Sequence, residues 1–292
     1  MRFLVVLVLG VASAARAGAP DPGVAGRFAV ASTTIAVVDG ARHRTLTTEV
    51  WYPAREAERD AGIRPGRFPL VLLAHGYCGS RTNYEFLTTV LASRGFIVAA
   101  PDLPGMNHAN CTAPTRPPAQ PEDDLRFLRA AFHARTTAAA SFVRHVRGAR
   151  AAVIGHSLGT TPAIHATFDD PLLTPAVALA PPATNVPAGH GRRPVLVMGG
   201  VADTTIPIAA VRRVFDALPS PAVLVEIAGG THDGFTDADP ALAADALARQ
   251  EAITRRYVNA FVERWLARRR RFGRLLRSGD AAAPGGVTLV AR

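Results

Sequence analysis

The sequence predicts an α/β fold: a mostly parallel, doubly wound sheet with an antiparallel N-terminal hairpin and helices on both faces. Short, fully apolar runs bounded by glycine and proline are typical of strands buried on both faces of a parallel sheet. Segments of helical length lie between these runs, and alternating strands and helices form right-handed βαβ units. With 292 residues, 48% hydrophobic and 19% charged, the chain can bury a large core.

The first two strands are predicted at residues 28–38 and 45–52, where apolar and polar side chains alternate. Asp39-Gly40 between them is a turn signal, so these strands should form an antiparallel hairpin. The apolar runs that follow predict six buried strands, at residues 69–74, 96–100, 151–154, 176–180, 195–198 and 223–227.

Helices are expected between these strands, at residues 83–94, 160–168, 208–218 and 241–271, with one or two more within 123–146. The proline-rich segment 107–122 is predicted to be a long loop. Residues 18–278 should form one domain, followed by a flexible tail over 279–292.

The N-terminus has the pattern of a secretory signal peptide. Arg2 precedes an apolar stretch too short to span a bilayer comfortably, and Ala15-Arg16-Ala17 fits the small-x-small cleavage pattern. We therefore expect cleavage after Ala17 and a secreted or periplasmic protein. A buried first helix is the alternative, but the stretch is not amphipathic and the loop-forming sequence AGAPDPG follows directly.

All 33 basic residues are arginines, and the formal net charge is +10. The arginines are spread along the chain without zinc-finger spacing or an aromatic-flanked basic stripe, which argues against nucleic-acid binding. Arg268 to Arg271 form the densest cluster, and a solvated basic face explains it better than contact with an anionic membrane surface. The nine histidines show no metal-binding spacing, so no metal is expected.

The sequence VIGHSLG places Ser157 between Gly155 and Gly159, where a buried strand meets a helix. Such a serine must adopt a strained backbone conformation above the sheet, and side chains at the flanking positions would collide with the neighbouring strand and helix. Backbone N–H groups and the positive end of the helix then lie beside the hydroxyl. This arrangement favours a nucleophile over an ordinary capping serine.

A serine nucleophile needs a base, and the base needs an acid that orients it. Asp203 and His232 each follow a predicted strand, in the chain order Ser, Asp, His that this architecture uses. Both should therefore lie at the carboxyl edge of the sheet. Other acids and histidines fit less well, because they lie in the turn itself, on a helix, in another loop or beside His232: His75, His156, His165, Asp169, Asp170 and Asp233.

An oxyanion formed at Ser157 would need two donors, and we expect the backbone N–H groups of Leu158 and Tyr77 to supply them. Tyr77 lies in the loop HGYCGS, which follows the third predicted strand. Cys78 lies in the same loop and Cys111 in the loop after the next strand, both at the same sheet edge. These two cysteines, the only ones in the chain, are predicted to form a disulfide, with two free thiols as the alternative.

With these residues, the chain resembles the α/β-hydrolase superfamily. Within it, the chain is similar to the group that joins dienelactone-hydrolase-like proteins, platelet-activating-factor acetylhydrolases and bacterial cutinases or polyester hydrolases. The likeness rests on the segments VWYPA, LLAHGYCGSRTNY, LASRGFIVAAPDLPG, VIGHSLG and GGTHDGF. It implies a monomeric, cofactor-independent ester hydrolase that uses Ser157, Asp203 and His232, with Tyr77 and Leu158 at the oxyanion hole.

Two positions depart from the family pattern. Thr160 stands where many relatives have another glycine, and the strand ending LAPPAT lacks the tryptophan that polyester hydrolases share there, which argues against a polyester substrate. A polyester- or lipid-directed hydrolase is one alternative function. Another is a catalytically inactive binding protein with the same fold.

Overall fold

The computed structural model describes residues 21–111, 121–134, 137–187, 193–277 and 286–292, and the predicted signal peptide lies outside these ranges. Nine strands form one sheet. They are β1 (Ala29–Asp39), β2 (Arg44–Ala54), β3 (Phe68–Ala74), β4 (Ile97–Pro101), β5 (Val146–His156), β6 (Leu173–Leu179), β7 (Val195–Gly200), β8 (Ala222–Ile227) and β9 (Val287–Ala291). Their order in the sheet is β1-β2-β4-β3-β5-β6-β7-β8-β9.

The predicted architecture is confirmed. β1 and β2 form the antiparallel hairpin, β2 pairs antiparallel with β4, and the strands from β4 to β8 are parallel to one another. The helices between them are α1 (Glu85–Ser93), α2 (Pro121–Ala131), α3 (Thr160–Asp169), α4 (Ile208–Ala217) and α5 (Ala244–Trp265). No helix of these described segments is long and apolar enough to cross a bilayer.

Alternate residues of the central strands point to opposite faces of the sheet, as the two-residue period of a strand requires. Val71 and Leu73 of β3 pack in a cluster with α1 and α5, whereas Leu70 and Leu72 pack with α2 and α3 on the other face. A third cluster packs α3 and α4 against β6, β7 and β8. Both faces are therefore covered, which explains why these strands are apolar throughout.

Two helical segments are shorter than the sequence predicts. α2 ends at Ala131, a 3₁₀ turn follows at Ala140–His145, and β5 begins already at Val146. α5 ends at Trp265 instead of residue 271. Arg268 then adopts a left-handed conformation with φ of 58°, and the backbone N–H of Arg269 donates back to the carbonyl of Glu263. This turn directs the following arginines toward the Glu263 side chain.

The expectation of a flexible tail over residues 279–292 is wrong for the last part of the chain. Val287–Ala291 forms β9, which pairs antiparallel with the otherwise open edge of β8. The β-branched pattern VTLVA suits an edge strand. The Arg292 side chain also holds the end in place, because it stacks 4.3 Å from the ring centroid of Phe215 and donates to the carbonyl of Leu218 at 2.7 Å.

Candidate active site

Ser157 stands in a sharp turn between β5 and α3. Its φ is +50°, a left-handed conformation that is uncommon for a residue with a side chain. A Cβ on Gly155 would lie 2.3 Å from the carbonyl oxygen of Gly159, and a Cβ on Gly159 would lie 2.4 Å from that of Ala74. The two glycines thus allow the turn to sit directly against the helix and against β3.

The structure brings Ser157, His232 and Asp203 together in one hydrogen-bonded chain. Nε2 of His232 lies 2.9 Å from Oγ of Ser157, and Nδ1 of His232 lies 2.9 Å from Oδ2 of Asp203. The Asp203 side chain is fully buried and that of His232 is 12% exposed. Since a carboxylate can only accept, Nδ1 carries the proton and Nε2 is left to accept one from the serine hydroxyl.

The loop after β7 orients the Asp203 carboxylate. Its Oδ1 accepts the backbone N–H groups of Thr205 at 2.9 Å and Ile206 at 2.7 Å. Oδ2 is the oxygen that faces the imidazole. Because each carboxylate oxygen has its own donors, the group is fixed in one orientation toward His232.

The loop after β8 that carries His232 is held at the preceding residue, Thr231. Gln250 of α5 accepts the N–H of Thr231 and donates to its carbonyl, both at 2.9 Å. The Thr231 hydroxyl donates to Asp239 at 2.5 Å. These contacts fasten the loop to α5 directly before the imidazole.

Tyr84 and His156 form a buried hydrogen-bond network that links the loop after β3 to the loop that carries His232. The sequence did not reveal this network. The Tyr84 hydroxyl accepts the N–H of Gly76 at 3.0 Å and donates to Nδ1 of His156 at 3.1 Å. Nε2 of His156 donates to the carbonyl of His232 at 3.2 Å. Burial, with a smaller contribution from His232, lowers the pKa of His156 to about 3, so this imidazole is neutral.

The loop after β3 lies beside Ser157, since a Cβ on Gly76 would be 3.1 Å from that of Ser157. Tyr77 in this loop is 37% exposed. The predicted disulfide between Cys78 and Cys111 is present, with the Cα atoms 5.2 Å apart. The Cys78 N–H also donates to the Met106 carbonyl at 2.8 Å. The loop is thereby joined, by a covalent bond and by hydrogen bonds, to the segment after β4.

The other candidate histidines and acids have different partners. His75 donates from Nδ1 to the Gly76 carbonyl and accepts the Leu103 N–H at Nε2, which fixes the loop after β3. His165 on α3 contacts Glu122 and the Asn185 carbonyl. The imidazole of His232 donates to Asp203 and not to Asp233, the residue that follows His232 in the sequence. Among the described residues, no group of three or more His, Cys, Asp or Glu side chains could hold a metal ion.

The mixed sheet and the strand–turn–helix at Ser157 define an α/β-hydrolase fold. A ferulic acid esterase from Streptomyces cinnamoneus has a similar structure, with a TM-score of 0.75 and 26% identity over 91% of this chain and 97% of that chain. The model of the family described as PET hydrolase-like matches residues 14–285. The chain therefore belongs to the PET hydrolase-like family.

Curated relatives agree with the predicted resemblance to cutinase-like serine esterases. Cutinase 2 of Thermobifida cellulosilytica is 31% identical over 166 residues, which are 56% of this chain and 59% of that protein. A bis(hydroxyethyl) terephthalate hydrolase of Streptomyces coelicolor is 28% identical over 212 residues, 71% of this chain and 61% of that protein. These matches span only about three fifths of each relative.

Proposed function

We propose that this protein is a secreted carboxylic-ester hydrolase that forms an acyl-enzyme on Ser157. The observation that carries the proposal is the continuous contact from Asp203 through His232 to Ser157, with 2.9 Å at each step. Membership in the PET hydrolase-like family supports the same reaction class. Export rests on the signal-peptide pattern of residues 1–17, and N-terminal sequencing of the exported protein should begin at Gly18.

In the first half of the reaction, Nε2 of His232 removes the proton of Ser157 as Oγ attacks the ester carbonyl carbon. Asp203 stabilises the imidazolium that forms, because its oriented carboxylate lies 2.9 Å from Nδ1. The tetrahedral oxyanion accepts from the N–H groups of Leu158 and Tyr77. When the tetrahedral intermediate collapses, the imidazolium gives its proton to the departing alcohol, and the acyl group stays on Ser157.

In the second half, His232 removes a proton from water, which attacks the acyl-enzyme. The same two backbone donors stabilise the second oxyanion, and the proton returns to Oγ as the acid leaves. No step needs a metal or a cofactor. Each oxyanion-hole donor of this type lowers the barrier by about 3 kcal/mol in enzymes of known mechanism.

The substrate class that we propose is supported by the names of the relatives, which include cutinase, bis(hydroxyethyl) terephthalate hydrolase and ferulic acid esterase. These names favour esters in which the acid or the alcohol is bulky or aromatic. Polyesters are a second candidate because of the family match, although the segment Leu179 to Thr184, at the end of β6 and directly after it, lacks the tryptophan expected of a polyester hydrolase.

The decisive experiment compares wild type, Ser157→Ala and a control, Ser141→Ala, on p-nitrophenyl esters of graded chain length. Ser141 is exposed in the 3₁₀ turn before β5 and has no role in the proposal. We expect Ser157→Ala to lose essentially all turnover and all labelling by a fluorophosphonate probe, while Ser141→Ala keeps both. Full hydrolysis by Ser157→Ala would refute the acyl-enzyme assignment. A folded wild type that neither hydrolyses esters nor reacts with the probe would favour the inactive binding protein.

A further inference from the structure

A depression with a strongly basic lining lies at the amino ends of β3 and β5, at the edge of the sheet opposite Ser157. Its volume is about 710 Å³. The charged residues that line it are six arginines and one glutamate: Arg27, Arg67, Arg94, Arg147, Arg269, Arg271 and Glu263. We call this the arginine depression.

Glu263 cannot neutralise this charge, because its carboxylate is already saturated by three of the arginines. Oε1 contacts Arg94 at 2.6 Å, and Oε2 contacts Arg269 at 3.1 Å and Arg271 at 2.8 Å. Burial alone would raise the pKa of Glu263, but Arg271 and Arg94 keep it below its ordinary value. Three guanidinium groups around one carboxylate leave an excess of positive charge.

The remaining arginines add to this excess. Among the described residues, no carboxylate lies within ion-pair distance of Arg27, Arg67 or Arg147. Arg67 donates to the backbone carbonyl of Val146 at 3.0 Å, and Arg27 stacks 4.9 Å from the ring centroid of Phe28. Partial burial and repulsion from Arg269 lower the pKa of Arg147. An anion in the depression would relieve this repulsion.

Several of these side chains are held in place before any ligand arrives. Arg94 is buried and also donates to the carbonyls of Asp21 at 3.2 Å and Val24 at 3.0 Å. Arg271 stacks 4.7 Å from the ring centroid of Phe272. Since the lining is preorganised, little side-chain entropy would be lost on binding. Planar guanidinium groups match the paired oxygens of phosphate-type anions.

We propose that the arginine depression binds a phosphate-type oxyanion, either free phosphate or the phosphate of an anionic lipid headgroup. Arg147 lies near the amino end of β5 and Ser157 directly follows its carboxyl end; β5 pairs with β3 from Phe68 to Ala74, so the two lie roughly 20 Å apart at about 3.3 Å per residue. The ligand is therefore not a substrate for Ser157. A lipid headgroup held here would orient the enzyme with its candidate active site facing away from the membrane.

The test measures inorganic phosphate binding by calorimetry, with chloride keeping the ionic strength constant. The variant Arg27→Gln/Arg147→Gln removes two exposed lining charges that make no ion pair with a described residue, and it should keep ester hydrolysis as a sign of intact folding. The control, Arg55→Gln/Arg213→Gln, removes two exposed arginines outside the depression. We expect the dissociation constant for phosphate to rise about tenfold or more in the first variant and less than about twofold in the control.

A second arm separates the two sources of phosphate. Sedimentation with phosphatidylglycerol-containing vesicles, but not with pure phosphatidylcholine vesicles, and release by inorganic phosphate would identify the headgroup. Phosphate binding without sedimentation would identify the free anion. The proposal is overturned if wild type binds phosphate no better than chloride. It is also overturned if both double variants weaken phosphate binding equally, since the effect would then come from net charge alone.

Discussion

The imidazole of His156 donates from Nε2 to the backbone carbonyl of His232, 3.2 Å away. His156, which directly precedes the proposed nucleophile Ser157, thus helps to hold the backbone of His232, the proposed base. Tyr84 holds the other side of the same ring, and its hydroxyl also accepts the N–H of Gly76. Displacement of the loop that carries His232 would therefore break a hydrogen bond in a buried network, where the loss is most costly.

Tyr84→Phe should reduce both stability and turnover. It leaves the Gly76 N–H and Nδ1 of His156 without their partner in a buried site, and each unsatisfied group costs about 1–3 kcal/mol. We expect the free energy of unfolding in urea to fall by at least that amount, and kcat to fall while KM changes little. Tyr52→Phe is the matched control, because it removes a hydroxyl bonded to the Ala61 carbonyl elsewhere in the fold. Equal kcat in the two variants would contradict a positioning role for Tyr84.

Acid should destabilise the protein through His156. Its pKa is about 3 in the folded protein, while an unfolded histidine has an ordinary value of ~6.5. The unfolded chain therefore takes up a proton in this range that the folded protein does not. The contribution of His156 to stability is complete above about pH 6.5 and is lost progressively as the pH falls toward 3.

We expect the urea midpoint of wild type to fall between pH ~7 and pH ~4.5 by more than that of His156→Gln, whose amide can donate and accept but does not titrate in this range. Parallel pH profiles for the two proteins would show that His156 is not the group responsible.

The central strands and the candidate triad could be predicted because their signals are local. Strands buried on both faces are apolar throughout, and the chain order of Ser157, Asp203 and His232 places each after such a strand. In a parallel sheet, residues that follow successive strands meet at the same edge. The strained turn at Ser157 was also predictable, since its flanking glycines are visible in the sequence.

The features that could not be predicted depend on distant contacts. Tyr84 reaches His156 across 72 positions of the chain, and Arg94 meets Glu263 across 169. The early end of α5 is of the same kind, because Arg269 and Arg271 after Trp265 turn back to the Glu263 carboxylate. β9 was missed because an exposed edge strand of five residues carries a weak pattern beside the glycine-rich segment before it.

Gly159→Ala should destabilise the fold strongly. The added Cβ would lie 2.4 Å from the carbonyl oxygens of both Ala74 and His75, and these backbone atoms of β3 and the loop after it cannot yield easily. Overpacking typically costs about 1–3 kcal/mol and occasionally more, and contact with rigid backbone atoms places Gly159→Ala at the upper end of that range. In Gly40→Ala, the matched control, a Cβ would meet nothing within 4 Å, and we expect a change of about 0.5 kcal/mol or less. Chemical denaturation of both variants checks this, and a Gly159→Ala protein as stable as the control would contradict the close approach.

The Cys78–Cys111 disulfide should stabilise the folded protein. It closes a loop with a sequence separation of 33, for which chain entropy predicts a contribution of about 3–4 kcal/mol. We expect the double variant Cys78→Ser/Cys111→Ser to unfold at a correspondingly lower urea concentration. Treating wild type with a reducing agent should reproduce the shift, whereas the same treatment should leave the double variant unchanged. Recovery of two free thiols from untreated, denatured wild type would contradict the bond.

Asp203→Asn should preserve the fold but remove most of the activity. One side-chain oxygen can still accept the N–H groups of Thr205 and Ile206, which places the amide nitrogen opposite Nδ1 of His232. An amide N–H there favours the tautomer with the proton on Nε2, and that nitrogen can then no longer accept from Ser157. We expect kcat to fall about 10³- to 10⁴-fold with KM nearly unchanged, as in other triads that lose the carboxylate. Asp233→Asn is the matched control and should stay within a fewfold of wild type, because Asp233 does not contact the imidazole nitrogens. If the two variants were equally active on p-nitrophenyl esters, Asp203 would not be the residue that orients His232.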